Sequence, residues 1–319
     1  MAGRRRVYRE PVRLGVIDIG SNTVHLLVMD ARHGARPVAQ ASDKTTVRLM
    51  RYLEPDGCIS DEGVAALTEA VERAAEVGRK HKTEATMALA TSALREATNG
   101  PEVLAALSEL AGVPIEVLSG KDEARLTFLA ARRWYGWGAG RLLLLDIGGG
   151  SLEIATGVDE EPDVALSLPL GAGRMTREFL YDDDPPEPRD VDRLRKHTRA
   201  VLEDAVGPVR KAPAPDHAVA TSKTFRSLAR LAGMPRDVLG PGTRWRMLRA
   251  HLEDWEPRLA RLSSTDRTVL PGIGPGRALQ IVAGAVVAEE AMRALDVEEV
   301  EICPWALREG AILQHLDRL

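Results

Sequence analysis

Two segments of the chain share one pattern, and this repetition limits the folds that the chain can adopt. LGVIDIGSNTVHLLV begins at Leu14, and LLLLDIGGGSLEIAT begins at Leu142. In each, an apolar run ends in an aspartate, a turn of small residues follows, and a second apolar run comes after the turn. Aligned on Asp18 and Asp146, the two copies lie 128 residues apart. Two half-size units of one design indicate an internal duplication.

Each copy predicts two β-strands joined by the turn, because short apolar runs bounded by glycine are typical of strands. The predicted strands cover residues 14–17 and 24–29 in the first copy, and 141–145 and 152–156 in the second. Helices are predicted at 60–81, 100–112, 122–135, 191–206, 277–295 and after Pro304, with further strands starting at 85, 115, 217 and 297. This alternation predicts an α/β fold in which helices pack on central sheets.

Length and composition narrow the class of protein. A chain of 319 residues exceeds the size at which single cores usually stop growing, so two domains are predicted, with a tight boundary near residues 120–135. A net charge of −4 argues against general nucleic-acid binding.

Cysteine content and hydropathy indicate the compartment. Two cysteines, Cys58 and Cys303, are too few for a disulfide framework and suit a reducing compartment. The N-terminal segment lacks the apolar core of a secretory signal. The apolar stretch 281–288 is far shorter than the roughly 20 residues of a membrane span. We therefore expect a cytoplasmic protein without membrane association.

The glycine turns favour phosphate chemistry. Glycines permit positive φ and let backbone N–H groups approach a ligand, and successive N–H groups form an anion-binding concavity. Ser151 adds a hydroxyl donor. An aspartate beside a phosphate would repel it, unless Mg²⁺ lies between them or the aspartate orders a water. One copy could equally be a hairpin with a mobile tip; two copies with aspartate in register favour function.

Other polar residues near these turns allow a functional or a structural interpretation. Glu153 shares a strand face with Ser151, so it could hold a divalent cation with Asp146 or lie on a solvent face. The first copy has His25 at that place, so the halves differ chemically.

Acidic residues at the start of a helix, and arginines that follow turns, also allow either a functional or a structural interpretation. Asp122 and Glu123 start a helix, where the helix dipole alone favours carboxylates. Arg95, Arg174 and Arg226 follow small-residue turns and are either anion ligands or surface arginines.

Taken together, the motifs resemble those of the exopolyphosphatase / guanosine pentaphosphate phosphohydrolase (Ppx/GppA) family. DIGSNTVHLLV, ATSALR, SGKDEARLTF, DIGGGSLEI, LPLGAGR and ICPWALREGAIL occur in the family's order, from about residue 14 to the C-terminus. RRWYGW and CPWALREG resemble its compact actinobacterial members. The resemblance implies a duplicated actin-like (ribonuclease H-like) α/β fold, with two domains and a catalytic cleft between them. We expect domains at 1–124 and 125–304, with a C-terminal helix within 305–319 that packs back on the first.

The resemblance also implies roles for individual residues. It implies hydrolysis of a terminal phosphoanhydride with Mg²⁺ or Mn²⁺ present. Glu123 matches the proposed base that orients the attacking water, and Asp146 and Glu153 match the metal-linked carboxylates. The residues that match the family's phosphate-binding positions are Asp18, Gly20, Ser21, Asn22, Thr23, Ser92, Arg95, Gly148, Gly149, Gly150 and Ser151.

The sequence leaves several substrates and activities possible. The family usually reads Glu-Glu where this chain has Asp122-Glu123, which keeps the base. Longer members carry C-terminal helical domains that this sequence lacks, so a preference for short polyphosphate is expected. The alternatives are hydrolysis of pppGpp to ppGpp, a nucleotide-dependent kinase or ATPase of the same superfamily, and a non-catalytic sensor of polyphosphate or an alarmone. A homodimer is expected from the family.

Overall fold

The computed structural model describes residues 10–235 and 244–319. Residues 1–9, which include the start of the first predicted domain and most of the N-terminal segment that lacks a secretory signal pattern, lie outside the described residues. Within the described ranges the strands are β1 Val12–Ile19, β2 Thr23–Ala31, β3 Val38–Thr46, β4 Ala85–Ala90, β5 Ile115–Val117, β6 Leu142–Ile147, β7 Leu152–Gly157, β8 Val164–Leu168, β9 His217–Ala220, β10 Arg246–Leu248 and β11 Glu299–Ile302.

Helices alternate with these strands. They are α1 Asp61–Lys80, α2 Ser92–Glu96, α3 Gly100–Ala111, α4 Gly120–Tyr135, α5 Ala172–Phe179, α6 Pro188–Ala205, α7 Gly207–Lys211, α8 Ser222–Leu231, α9 Arg249–Ala260, α10 Ser264–Arg267, α11 Ile281–Ala294 and α12 Leu307–Arg318. Ser60 caps α1 by accepting a hydrogen bond from the Gly63 N–H, as its position before the acidic first turn predicts. None of the helices in the described residues is long and apolar enough to cross a membrane.

Two mixed sheets form the centre of the molecule, which confirms the predicted α/β fold. The strand order is β3-β2-β1-β4-β5 in the first and β10-β11-β9-β6-β7-β8 in the second. In both, the first two strands of the unit are antiparallel, and the first also pairs in parallel with the strand that follows a helical crossover. The strands β8-β7-β6-β9-β11 of the second sheet therefore repeat the arrangement of the first sheet, as the internal duplication in the sequence predicts.

Separate apolar cores hold the helices to the sheets. On α1, Leu67, Ala70, Val71 and Ala74 recur at helical spacing and are buried against the first sheet. On α11, residues 281–292 are all buried, because helices α5, α6, α8 and α9 pack against it. This full burial explains why the sequence of α11 is apolar on every face.

The chain returns to the first sheet at its end. After β11 in the second sheet, α12 packs through Leu307, Ile312 and Leu316 on residues of β1 and β2. It also lies against α4, where the approach is so close that a Cβ on Gly310 would lie 1.9 Å from the Leu126 carbonyl oxygen. The predicted domain boundary at 124/125 falls inside α4, and that division stays a prediction.

Candidate functional site

The two glycine turns close in the same way. The Gly20 N–H donates to the Thr23 carbonyl at 3.0 Å, and the Gly148 N–H donates to the Ser151 carbonyl at 2.9 Å. Each turn lies at the end of a strand that finishes beside its aspartate, Asp18 or Asp146. The local duplication seen in the sequence is therefore a duplication of backbone hydrogen bonding.

In both turns the carbonyl groups are held by a neighbouring segment. The carbonyls of Ser21 and Asn22 accept from the N–H groups of residues 47–49, and those of Gly148 and Gly149 accept from the N–H groups of Ala172 and Arg174. The N–H groups of residues 21, 22, 149 and 150 have no acceptor within the described parts of the chain. The carbonyl groups of these turns are therefore already hydrogen-bonded, whereas four backbone N–H groups remain available to a ligand. Both turns line one cavity.

The glycines of the second turn are required for close approach. A Cβ on Gly149 would lie 2.5 Å from the Asn22 side-chain nitrogen, and one on Gly150 would lie 2.1 Å from the Ser92 hydroxyl. Neither residue has a left-handed φ. The sequence argument from positive φ is therefore wrong for this turn, whereas the argument from close backbone approach explains it.

A cleft of about 160 Å³ lies where the turns meet. It contains almost all of the predicted site residues, which are Asp18, Gly20, Ser21, Asn22, Thr23, Ser92, Glu123, Asp146, Gly148, Gly149, Gly150, Ser151 and Glu153. Arg95 is the exception, since it does not line the cleft. Its guanidinium donates to the Leu118 carbonyl at 2.6 Å and lies 4.0 Å from the Glu123 carboxylate. This places Arg95 behind Glu123.

Four carboxylates face this cleft, and burial dominates their ionisation. Burial raises the pKa of Asp146 to about 6, although the Thr221 hydroxyl donates to it. Burial and the nearby Asp146 raise the pKa of Glu153 to about 8. Burial and the other three carboxylates raise the pKa of Glu123 well above its usual value. Burial also raises the pKa of Asp18, against the effect of Arg308. Crowded carboxylates of this kind suit a site that receives a cation.

Asp146 and Glu153 form a pair that fits a hard divalent cation. They are opposite each other across β6 and β7, and Glu153 accepts from the Ser167 hydroxyl at 2.8 Å. No cluster of three or more His, Cys, Asp or Glu residues suited to a metal occurs in the described ranges. Mg²⁺ is commonly held by one or two carboxylates together with waters and substrate phosphates. The pair of carboxylates beside the two glycine turns therefore suits Mg²⁺. A buried Glu123 oxygen without a hydrogen-bond partner adds to this fit.

The start of α4 directs Glu123 into the cleft and its neighbour away from it. Ser119 caps the helix by accepting from the Asp122 N–H at 3.1 Å, and its hydroxyl donates to the Asp122 carboxylate. The Asp122 side chain is 52% exposed, whereas that of Glu123 is 14% exposed. The dipole explanation therefore fits Asp122, and Glu123 occupies a buried position that needs another reason.

Five cationic side chains also line the cleft, and sequence reasoning singled out only one of them, Arg226. The others are Lys44, Lys223, Arg277 and Arg308. Arg308, on the first turn of α12, donates to Asp18 at 2.8 Å. In the described residues the remaining four make no ion pair, so their charge is available to an anionic ligand. A signal existed for Arg308, which lies in the motif ICPWALREGAIL.

The two halves of the cleft carry opposite chemistry at equivalent positions. Across β1, β2 and β3 the register places Asp18, His25 and Lys44 in one row. Across β6, β7 and β8 the equivalent row is Asp146, Glu153 and Ser167. Burial and neighbouring cations lower the pKa of His25 to about 3, so its ring is neutral, and it is hydrogen-bonded to Ser42 at 2.7 Å. The first row suits an anion, and the second suits a cation.

The two arginines whose roles the sequence left open have different positions. Arg174 lies outside the cleft and donates to the Gly150 carbonyl at 2.9 Å while pairing with Glu96, so it supports the second turn from behind. Arg226 lines the cleft from α8, and its guanidinium is held by the Ser222 carbonyl at 3.1 Å. Ser222 itself has a left-handed φ of 74°, a costly conformation for a residue with a side chain and one that concentrates at functional sites.

Comparison with known proteins agrees with this geometry. The sequence profile described as the Ppx/GppA phosphatase family matches residues 27–319. The chain is 52% identical to Exopolyphosphatase 1 of Mycobacterium tuberculosis over 306 residues, which is 96% of this chain and 89% of that protein. It is also 52% identical to Exopolyphosphatase 1 of Mycobacterium leprae, over 96% of this chain and 90% of that one.

Solved structures share the fold. An exopolyphosphatase from Cytophaga hutchinsonii superposes with a TM-score of 0.83 at 24% identity, over 96% of this chain and 98% of that one. The Aquifex aeolicus member of the Ppx/GppA family gives a TM-score of 0.78 at 23% identity, over 96% and 98% of the two chains. The actin-like two-domain architecture expected from the sequence is thereby confirmed.

Proposed function

Since the chain belongs to the Ppx/GppA phosphatase family and is a phosphoanhydride hydrolase, we propose that it releases orthophosphate from the ends of inorganic polyphosphate, with short chains preferred. One observation supports this proposal most strongly. The two glycine turns with their free N–H groups line the same cleft as four buried carboxylates and five cationic side chains. The small volume of the cleft supports the preference for short chains.

The chain's own residues supply most of what phosphoryl transfer requires. Such transfer depends mainly on positioning and electrostatic stabilisation of the transferred group. The free N–H groups of residues 21, 22, 149 and 150 would hold the terminal phosphoryl oxygens, together with the hydroxyls of Ser21 and Ser151. Lys44, Lys223 and Arg277 would bind the phosphates that follow, since they lack carboxylate partners in the described residues.

Glu123 would orient and deprotonate the attacking water. A general base must reach its water and have a raised affinity for the proton, and burial among carboxylates provides that affinity. Arg95 lies 4.0 Å from the Glu123 carboxylate, and its positive charge favours the ionised form that accepts the proton. A divalent cation held by Asp146 and Glu153, Mg²⁺ or Mn²⁺, would offset the charge that develops on the phosphoryl oxygens. Thr221 and Ser167, which donate to those two carboxylates, would fix their orientation.

Assembly and location are further parts of the proposal. We propose a homodimer, which size-exclusion chromatography with light scattering would test. A cytoplasmic location is supported by the two free cysteines, Cys58 and Cys303, which suit a reducing compartment.

A substrate panel tests the proposed activity. Purified protein with Mg²⁺ is given short polyphosphate, long polyphosphate, pppGpp and ATP in parallel, and orthophosphate release is measured. We expect the highest kcat/KM for short polyphosphate. A higher value for pppGpp would favour the alternative activity, pppGpp 5′-phosphohydrolase. Equal values for long and short chains would remove the length preference, and no release from any substrate would favour a binding sensor.

A further inference from the structure

A second cavity lies between the two halves of the molecule, beside the cleft. Its volume is about 250 Å³. Its walls come from residues within 48–53 of the first half and from residues within 173–181 and 275–280 of the second half. None of the residues assigned above to phosphate hydrolysis lines it.

The floor of this cavity is apolar. Met50 is only 5% exposed, and Leu53 and Leu279 lie beside it. Tyr181 lines the same cavity with 59% of its surface exposed. An apolar floor next to an exposed aromatic side chain favours a flat ring, because such surfaces gain contact area and stacking on binding.

The rim of the cavity is cationic. Arg48, Arg51 and Arg177 line it, and none of them makes an ion pair among the residues that the structure describes. Arg48 donates to the Pro275 carbonyl at 3.0 Å, which leaves its other donors available. Unpaired guanidinium groups at a cavity rim suit phosphate oxygens, which accept parallel hydrogen bonds.

We infer that this cavity is a second ligand site that binds a nucleotide. The base would lie on the Met50 and Leu279 floor beside Tyr181, and the phosphates would lie against the arginine rim. The volume admits a planar ring but not a whole nucleotide, so the phosphates must remain at the rim, where the cations are. An inorganic phosphate chain would leave the apolar floor uncovered, and a neutral ring would leave the three cations unpaired.

Isothermal titration calorimetry with ADP as the probe tests this site. The titrations use full-length protein with the Glu123→Gln substitution, so that tripolyphosphate, the comparison ligand, is not consumed. Tyr181→Ala and Arg177→Ala are expected to weaken ADP binding about tenfold each, or about 1.4 kcal/mol, and to leave tripolyphosphate binding unchanged. Lys223→Ala in the cleft is expected to do the reverse. Arg79→Ala, on the exposed side of α1, serves as the control for removing one positive charge.

The contrast between ligands separates this inference from the proposed activity. Binding is measured directly, so loss of hydrolysis would not affect the result. Tyr181 and Arg177 are exposed, so their replacement leaves the cores intact, which circular dichroism checks. No measurable ADP binding, ADP binding that is unchanged in the Tyr181 and Arg177 variants, or ADP binding that follows Lys223→Ala would each overturn the inference.

Discussion

Two adjacent carboxylates, Asp122 and Glu123, show how position decides the role of a residue. Both start α4 and both satisfy the helix dipole. Asp122 remains in solvent against the Ser119 cap, whereas Glu123 enters the cleft and has a buried oxygen without a hydrogen-bond partner. Within one dipeptide, the structure thus separates an exposed carboxylate at the helix cap from a carboxylate that lines the cleft.

We predict that Glu123→Gln lowers kcat by about 100-fold to 10,000-fold, because the variant keeps the shape but cannot accept a proton. Asp122→Asn is the matched control and should leave kcat within about twofold, since that carboxylate is exposed and outside the cleft. Orthophosphate release from short polyphosphate measures both. An equal loss in the two variants would contradict the assignment of Glu123 as the base.

Lys44 gives a prediction for pH. Loss of hydration and four neighbouring cations lower the pKa of Lys44 to about 8. The side chain therefore carries its charge below pH 8 and loses it as the pH rises, so kcat/KM for polyphosphate should fall through this range. The loss should approach tenfold, the size of one charge-assisted contact of about 1.5 kcal/mol. Lys44→Arg keeps the charge and should remove the fall near pH 8; a fall that persists in this variant would exclude Lys44 as its cause.

At the scale of elements, the sequence predicts whichever elements carry a clear hydrophobic pattern. The strands around both glycine turns and helix α1 lie within two residues of their predicted limits. The sequence does not predict strand β3, because most of its nine residues are polar and none of them is buried. Helix α9 was not predicted either, and it contains Pro257. These elements depend on tertiary neighbours for their stability.

The cleft shows the same limit of sequence reasoning. Its carboxylates and glycines belong to local motifs, and the sequence identifies them. Its cations come from β3, α8, α12 and the segment before α11, and these approach one another only when the two halves pack together. Spacing along the chain cannot reveal Lys44, which lies on a strand without an apolar pattern. Arg277 directly follows the glycine- and proline-rich segment 270–276, so a local signal for it existed. Arg95 follows a turn, as its sequence position indicates, but its side chain donates to the Leu118 carbonyl and does not line the cleft, so its phosphate-binding role stays a prediction.

The contact between α12 and α4 gives a prediction at this scale. Replacing a glycine in a helix interior with alanine normally stabilises the protein by up to about 1 kcal/mol. Gly310→Ala should instead destabilise by about 1–3 kcal/mol, because the new methyl would meet the Leu126 carbonyl. Gly138→Ala is the control, since a Cβ there meets nothing within 4 Å. Urea unfolding measures both, and a stabilised Gly310→Ala would contradict the close approach.

At the scale of the whole molecule, the two halves are joined beside the cleft by buried polar contacts. The Gln280 side-chain amide donates to the Asn22 side-chain oxygen (Oδ1) at 2.9 Å, across 258 residues of sequence. Both residues are buried, and Asn22 belongs to the first glycine turn. A movement of one half relative to the other would therefore also move that turn.

We predict that Gln280→Leu destabilises the protein by about 1–3 kcal/mol, because it leaves a buried Asn22 oxygen without a donor. Arg48→Met, which removes a hydrogen bond to Pro275 at the exposed edge of the same interface, should cost less than about 0.5 kcal/mol. The midpoint of urea unfolding compares the two. Equal effects would show that burial of the Gln280 contact is unimportant.

The ion pair between Asp18 and Arg308 has a consequence for synthesis of the protein. The two residues are 290 positions apart. The ribosome therefore makes Asp18 within the first strand, and it makes Arg308 only after β11 has completed the second sheet at Ile302. Until residue 308 has emerged, Asp18 lacks its cation and the first sheet lacks the helix that covers it. A nascent chain therefore carries both glycine turns before it can assemble the cleft, so the proposed hydrolysis requires translation to have passed Arg308.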